Sequence, residues 1–532
     1  MVVIDTAAGS FDELVRPFEA SGAGISFVDR DGTRYASYAE LAAMAASASR
    51  DLRAHGIAPG DMVAMSLEST PEGVAAALAV WQAGATLMSL PPPPRRGAGG
   101  AQPLYEQAFG ELLRVSNCAL VLGSSRLAGA LGPGHRVIDP TSLNFSSGQA
   151  ALDVGIPEVA LVQFTSGSTG APRGVVLRGQ TIASHVDALC EAVEFEPSRG
   201  DVAVSWLPLY HDMGLIGLLL GAMSRRGPLV LMAPSVFASD PVAWLRTCGE
   251  VGASVTCAPD FAYRLAARLA RFGKPIGDLS SLRTCLCGAE RVSWATLRSF
   301  AEATRESGLR WEALKPVYGM AEATLAVSFP PKGRGPRRTR GDVVGLGQPL
   351  GGVELRIGAS DSDVGRIALR GPWMLDSYLT AQGTIDPFDA DGWLWTNDVG
   401  FVEDGELFVL GRTDEAVIVH GRNVFAEDVE AIANWTPGIE AIGAAAFRDP
   451  DADDRFVLVV EVLNDRSDDL TSLAHDIKSG VTRGLEVSVS RVVFVEAKTI
   501  PRTTSGKPIR RACREMCMHA TWRADSVLAD VL

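Results

Sequence analysis

Beyond Asp201 the chain alternates between two textures. Short apolar blocks, "VAVSWLPL", "PLVLMAP", "ASVTCAP" and "LRTCLCGAE", read as buried strands. Between and after them lie longer segments, "MGLIGLLLGAM", "DPVAWLRTCGEV", "DFAYRLAARLARF" and "SWATLRSFAEAT", that read as helices. In the third, Phe261, Leu265, Leu269 and Phe272 recur at helical spacing; in the fourth, Ser293 predicts an N-cap. Regular strand–helix alternation implies right-handed crossovers and a buried, largely parallel sheet. Ligands of such sheets sit in the loops at the carboxyl ends of the strands. Upstream, the uncharged stretch Gly73 to Leu90 is interrupted by Gln82 and Gly84 and followed by Pro91 to Pro94, which predicts a buried helix and a strand rather than a membrane span.

After Gly411 the texture changes. "AVIVHGR" and "RFVLVVEVL" read as strands; "AEDVEAIANW", "LTSLAHDIKSGVTRGL" and "KPIRRACREMCMHA" read as helices. The expected fold class is α/β: a large N-terminal part of α/β subdomains over 1–410, a hinge at 411–415, and a small α+β domain over 416–532.

The length, 532 residues, allows several units of ordinary size, and a composition 47% apolar and 21% charged is that of a globular protein. A formal net charge of −14 argues against nucleic acid as the main partner, because backbone binding needs clustered Lys and Arg. The eight cysteines form no CxxC pair; Cys285/Cys287 and Cys513/Cys517 are the closest, and all read as reduced thiols. "MVVIDTAAGS" has no basic segment followed by an apolar run, so no signal peptide is expected and the expected location is cytoplasmic. No internal repeat is evident, and "PPPPRRGAGG" and "PPKGRGPRRTRG" read as exposed loops.

Candidate chemistry begins in "QFTSGSTGAPRGVVL". Thr165, Ser166, Gly167, Ser168, Thr169 and Gly170 form a run whose backbone N–H groups and hydroxyls can make a concave anion site. A flexible Gly/Ser loop is the alternative reading. The run is not the common nucleotide loop GxxxxGK followed by Ser or Thr, because Gly170 is followed by Ala171 and Pro172 and the cation is Arg173. Further along stand "VYGMAEAT" (Val317 to Thr324), "GWLWTNDVGFVEDGELFVLGRTDE" (Gly392 to Glu415), "HGRNVFAEDVE" (His420 to Glu430) and "PRTTSGKPIRR" (Pro501 to Arg511).

In this order the segments resemble the signatures of the adenylate-forming enzymes: acyl-CoA ligases, fatty-acyl-AMP ligases, peptide-synthetase adenylation domains and luciferases. The resemblance implies ATP as substrate, held by the Thr165–Gly170 run and Arg173, with Mg²⁺ on Glu322. A hard carboxylate oxygen suits Mg²⁺ beside a triphosphate. It further implies Gly288, Ala289, Glu290, Tyr318, Gly319 and Met320 around adenine, Asp398 on the ribose hydroxyls, and Arg412 on ribose or phosphate. Asp414 would be the hinge, and Gly421, Arg422 and Asn423 would belong to a loop used in a second, thiol step. Lys507 would be the catalytic lysine: a carboxylate attacking the α-phosphorus meets another anion, and a cation reaching both screens the repulsion.

"WLPLYHDMGLIG", "APDFAYRLA", "CGAERV" and "YGMAEATL" are most similar to the fatty-acyl-AMP ligases. That resemblance places Trp206, His211, Asp212, Phe261, Val317 and Met320 around an acyl pocket, whose residue types suit a hydrophobic or bulky organic acid. An amine-bearing acid would have only Asp212 as partner. Fatty-acyl-AMP ligases usually carry a substantial insertion after the "YGMAEAT" segment; here only "LAVSFPPKGRGPRRTRGDVV" precedes "GLGQPLGG". The shortening favours CoA as the acceptor over the phosphopantetheine of an acyl carrier protein, and the basic run Lys332 to Arg340 has the sign that either would meet. Four positions depart from the family pattern: Arg173 for Lys, Asn397 for Gly, Glu415 for Asp and Arg366 for Glu. The departures at Arg173 and Glu415 are the support for a further alternative, a catalytically silent nucleotide- or acyl-binding regulator.

Overall fold

The computed structural model describes residues 10–15, 22–93, 105–146, 155–165, 172–339, 343–358, 364–419, 422–437, 441–462, 469–502, 508–522 and 526–532. Two large sheets dominate the N-terminal part. The first runs Leu314–Pro316, Thr284–Cys287, Val255–Ala258, Ala203–Ser205, Leu229–Met232, Gly24–Val28, Thr33–Ser37. All neighbours in it are parallel except the last pair, a hairpin. The alternation read beyond Asp201 is this sheet. Its strands are buried, as the unbroken apolar blocks require when helices cover both faces.

The second sheet has the order Gly383–Ile385, Ser377–Thr380, Arg173–Arg178, Val159–Thr165, Thr86–Ser89, Met62–Met65, Leu120–Leu122, Val137–Ile138. It is parallel from Val159–Thr165 to Val137–Ile138 and antiparallel on the other side. The helix and strand expected in the Gly73–Leu90 stretch are Pro71–Gln82 and Thr86–Ser89. Thr70 caps the helix by accepting from the Gly73 N–H, and Pro71 fills its first turn. It packs on Tyr38–Ala54, whose Ser37 and Glu40 form a capping box. Alanines on both helices, among them Ala45, Ala48, Ala76 and Ala79, are wholly buried and let the backbones approach.

Ser293 does cap Trp294–Thr304, accepting from the Thr296 N–H at 3.4 Å. The helix Asp260–Arg271 forms where expected, but its core face is Ala262, Tyr263, Ala266 and Ala267; Leu265 and Leu269 are half-buried and Phe272 is 68% exposed. Small residues win that face because Trp294–Thr304 packs closely against it. The segment "MGLIGLLLGAM" is helical but wide: Met213–Leu220 is a π-helix continuing into the α-helix Gly221–Ser224.

An antiparallel four-stranded sheet, Glu354–Ile357, Gly365–Arg370, Leu394–Glu403, Glu406–Arg412, follows. The smaller C-terminal domain holds the hairpin Ala416–Val419/Arg422–Phe425 and the sheet Ala441–Asp449, Ala452–Val462, Ser488–Glu496, Val527–Val531. Its helices Ala426–Trp435, Leu470–Leu485 and Arg510–His519 are the three read from the sequence. It has its own core, with Val417, Val429, Phe456, Val460 and Ile477 at its centre. The eight cysteines are free and all but Cys118 are buried. No helix among the described residues is long and apolar enough to cross a membrane.

Candidate active site

A cleft of about 2600 Å³ gathers the ends of both large sheets, the four-stranded sheet and the C-terminal domain. Thr165 and Arg173, which face each other across paired antiparallel strands, enter it from the second sheet. Of the run between them, Ser166, Gly167, Ser168, Thr169 and Gly170 lie outside the described residues. The Arg173 guanidinium lies over the Tyr378 ring, 5.4 Å from its centroid.

Glu322 is presented by the short turn Ala321–Ala323. The Tyr378 hydroxyl donates to its Oε1 at 2.8 Å. Burial raises the carboxyl above its usual range, and Asp212 and Asp398 add to this while the Tyr378 hydrogen bond opposes it. A buried carboxylate in a field of other carboxylates suits a cation. Among the described residues no three His, Cys, Asp or Glu side chains converge on a metal position. The single Glu322 carboxylate suits a hard ion such as Mg²⁺, which can take one carboxylate beside phosphate and water.

Asp398 sits on Leu394–Glu403 opposite Arg412 on the neighbouring strand. The Tyr318 hydroxyl donates to its Oδ2 at 2.5 Å, its own N–H donates to Thr396 Oγ1 at 3.1 Å, and Arg412 Nε stands 3.9 Å from its Oδ1. Glycine is required at 319: a Cβ there would lie 2.0 Å from the Leu325 carbonyl oxygen. That contact lets "YGM" run under the turn that carries Glu322.

His211 and Asp212 line the cleft at the start of the π-helix. Nδ1 of His211 is 2.6 Å from Oδ1 of Asp212, which also accepts from the Met213 N–H at 2.8 Å. Phe261, Val317, Tyr318, Gly319, Met320, Ala289 and Glu290 line it as well. Glu290 is already engaged, accepting from the Phe261 N–H at 2.6 Å. Trp206 is not on the cleft wall; it stacks on Phe237 at 3.6 Å behind Phe261. Gly288 is also set back, where its missing side chain admits Val317.

Lys507 and Gly421 lie outside the described residues. Pro508, Ile509 and Arg510, which follow Lys507, line the cleft. Asp414 falls in the turn Thr413–Glu415, and Arg422 and Asn423 in the strand Arg422–Phe425. Glu415 is bound by Arg510, which also reaches Glu427 at 3.0 Å and Glu430 at 2.7 Å. Arg291 reaches Asp428 of the C-terminal domain at 2.5 Å. In the basic run, Arg337 is taken up by Glu406 and Asp404, Lys332 by Glu194, and Arg338 by the face of Trp294. Arg366 donates to the Thr396 carbonyl at 3.1 Å.

Tyr378, Thr396 and Asp260 were not legible as site residues. "LDSYLT" is an ordinary strand in sequence, and only sheet pairing brings Tyr378 under Arg173 and against Glu322.

The model of the AMP-binding enzyme family matches residues 19–379. A Mycobacterium tuberculosis chain described in general terms as a ligase is 33% identical over 498 residues, 87% of this chain and 90% of that one. A 4-hydroxyphenylalkanoate adenylyltransferase of Mycobacterium bovis is 30% identical over 520 residues, 86% of this chain and 83% of that one. Among solved structures, one from a study of fatty acyl-adenylate ligases of E. coli and L. pneumophila superposes with a TM-score of 0.83 at 27% identity, covering 96% of this chain and 97% of that one. With its α/β architecture and signature segments around one cleft, the chain belongs to the AMP-binding enzyme family and is an adenylate-forming ligase.

Proposed function

We propose that this protein activates a hydrophobic carboxylic acid with ATP, forming acyl-AMP and pyrophosphate, and then passes the acyl group to a thiol. The observation that supports this best is the convergence of Glu322, Asp398 and Arg173 on one cleft, all three held by tyrosine hydroxyls or rings and all from separate motifs. Asp398, fixed by Tyr318 and Thr396, accepts from the ribose hydroxyls. Arg173 and the Thr165–Gly170 run take the phosphates, and Tyr378 holds both Arg173 and Glu322 in place. Mg²⁺ on Glu322 would neutralise phosphate charge. Lys507 supplies the cation between the attacking carboxylate and the α-phosphate. The acid enters past His211, Phe261 and Val317; the 4-hydroxyphenylalkanoate and fatty-acyl relatives both point to an apolar acid body.

The domain division at 411–415, with Asp414 as hinge and Gly421 to Asn423 as the thiol-step loop, belongs to the same reading, as does a cytoplasmic location. For the acceptor we keep CoA, on the shortness of the segment between Thr324 and Gly345. A carrier-protein phosphopantetheine is the second reading. It is favoured by the adenylate chemistry named for the relatives; Arg337 and Arg338 are engaged within the N-terminal part and so distinguish neither acceptor.

Acid-dependent ATP–pyrophosphate exchange over a panel of aliphatic and arylalkanoic acids tests the activation step, and its absence across the panel overturns it. Lys507→Ala should lower exchange by about 100-fold or more, the scale of a lost transition-state contact. Offering the preformed acyl-AMP to CoA and to a holo-carrier, with mass spectrometry of both, decides the acceptor.

A further inference from the structure

Glu322 stands on a strained turn, and the strain is held from outside. Thr324 has φ 64 and ψ −52, left-handed backbone that a β-branched residue rarely adopts. The Leu325 N–H donates back to the Ala323 carbonyl at 2.7 Å, which makes this a γ-turn of the rare positive-φ kind. Such strain persists only where the surroundings over-determine it.

Three bonds from other parts of the chain do so. The Leu375 N–H donates to the Glu322 carbonyl at 2.8 Å. The Thr324 hydroxyl donates to the Trp373 carbonyl at 2.7 Å. The Ala326 N–H donates to His185 Nε2 at 3.0 Å. His185 lies on the helix Gly179–Val193, which starts directly after the strand carrying Arg173. Its ring is wholly buried and packs edge-on against Trp373, 4.9 Å between centroids. The two rings therefore brace each other, while the His185 ring and the Trp373 carbonyl each hold one end of the same turn.

We propose that His185 is a positioning residue for Glu322, acting through the Ala326 amide to hold the Thr324 turn in the form that aims the carboxylate at the metal–nucleotide position. Two further features agree. Burial lowers His185 to about 3, so the ring is neutral and its proton, with Nε2 accepting, is on Nδ1. Nδ1 finds no hydrogen-bond partner among the described residues. A buried donor left unmatched is unfavourable for stability, so a residue chosen for packing alone would be apolar here. The inference rests on the adenylation reading for its kinetic consequence but not for its structural one.

The test compares His185→Leu, His185→Gln and Thr324→Gly in the full chain. Hydrogen exchange of the 320–327 segment is measured without nucleotide, and ATP–pyrophosphate exchange kinetics with varied Mg·ATP and varied acid. His185→Leu should speed exchange at the Ala326 amide and raise the KM for Mg·ATP roughly tenfold, the size expected when a group supporting a metal ligand is lost, with the KM for the acid within twofold. His185→Gln, which keeps an acceptor, should recover most of both. Thr324→Gly accepts positive φ without strain. It should fold even where His185→Leu does not, and should show the same Mg·ATP-selective rise.

A His185→Leu protein with unchanged protection at Ala326 overturns the proposal, as does an equal rise in both KM values or a Thr324→Gly protein with unchanged KM for Mg·ATP. If the parent protein shows no exchange activity with any acid, the adenylation reading has failed, and the protection of Ala326 still decides the hydrogen-bond role of His185.

Discussion

Two tyrosine hydroxyls orient two of the cleft's carboxylates, Glu322 and Asp398, and only one of the tyrosines belongs to a recognisable motif. Tyr318 lies in "VYGMAEAT", whereas Tyr378 comes from a strand with no chemical signature. Removing the Tyr318 hydroxyl takes a charge-assisted bond from Asp398, so Tyr318→Phe should raise the KM for ATP by about tenfold with little change for the acid. Exchange kinetics with either substrate varied would show it. Asp260 gives a different prediction. Burial first, and the neighbouring Glu290 second, push it up to about 7 from an ordinary 3.8, while the Ser293 amide, Arg264 and Thr296 pull it down. Between about pH 4 and 7 the folded protein therefore holds a proton that the unfolded chain releases. The stability this contributes is full at the acid end and lost as pH rises through 7. Melting temperature should rise when the buffer goes from pH 8 to pH 6, and Asp260→Asn, which stays neutral, should flatten part of that slope. Glu415, also pushed up to about 7, would supply part of what remains.

At the scale of elements, periodicity located the helices and strands but not always their faces. Phe261, Leu265, Leu269 and Phe272 have helical spacing, yet Ala262, Tyr263, Ala266 and Ala267 face the core. Large apolar residues advertise a face, whereas close packing between two helices selects small ones, and only the neighbour decides which applies. Phe261 is instead spent on the cleft wall beside Trp206 and Phe237. The turn around Glu322 shows the same limit. Its glycine was visible in "YGM", but the reason for it, a carbonyl 2.0 Å from where a Cβ would be, is a contact with Leu325. Because that obstacle is backbone, Gly319→Ala should destabilise by about 1–3 kcal/mol and reduce Mg·ATP binding together with stability; thermal melts with and without Mg·ATP would measure both.

At the scale of the molecule, the N-terminal part and the C-terminal domain meet across the cleft, and the Arg291–Asp428 pair at 2.5 Å ties one to the other. Both side chains are partly exposed, so the pair should contribute about 1 kcal/mol or less to this arrangement and weaken with salt. Arg291→Ala should shift the solution scattering profile toward other domain arrangements, and the exchange Arg291→Asp with Asp428→Arg should restore it; a profile indifferent to both would mean the pair holds nothing. The sequence by itself determined the α/β class, the strand–helix alternation after Asp201 and the change of texture after Gly411, and it put forward the candidate motif residues Glu322, Asp398 and Arg173. These depend on local hydrophobic period, on turn chemistry and on residue types that few chemistries use. Tertiary structure alone decided that Tyr378 serves Glu322, that Trp206 and Gly288 stand back from the cleft, that Arg337 and Arg338 are already paired, and that His185 braces the Thr324 turn. Each joins residues far apart in the chain, and such contacts are set by how sheets and helices close on one another, which no local pattern records.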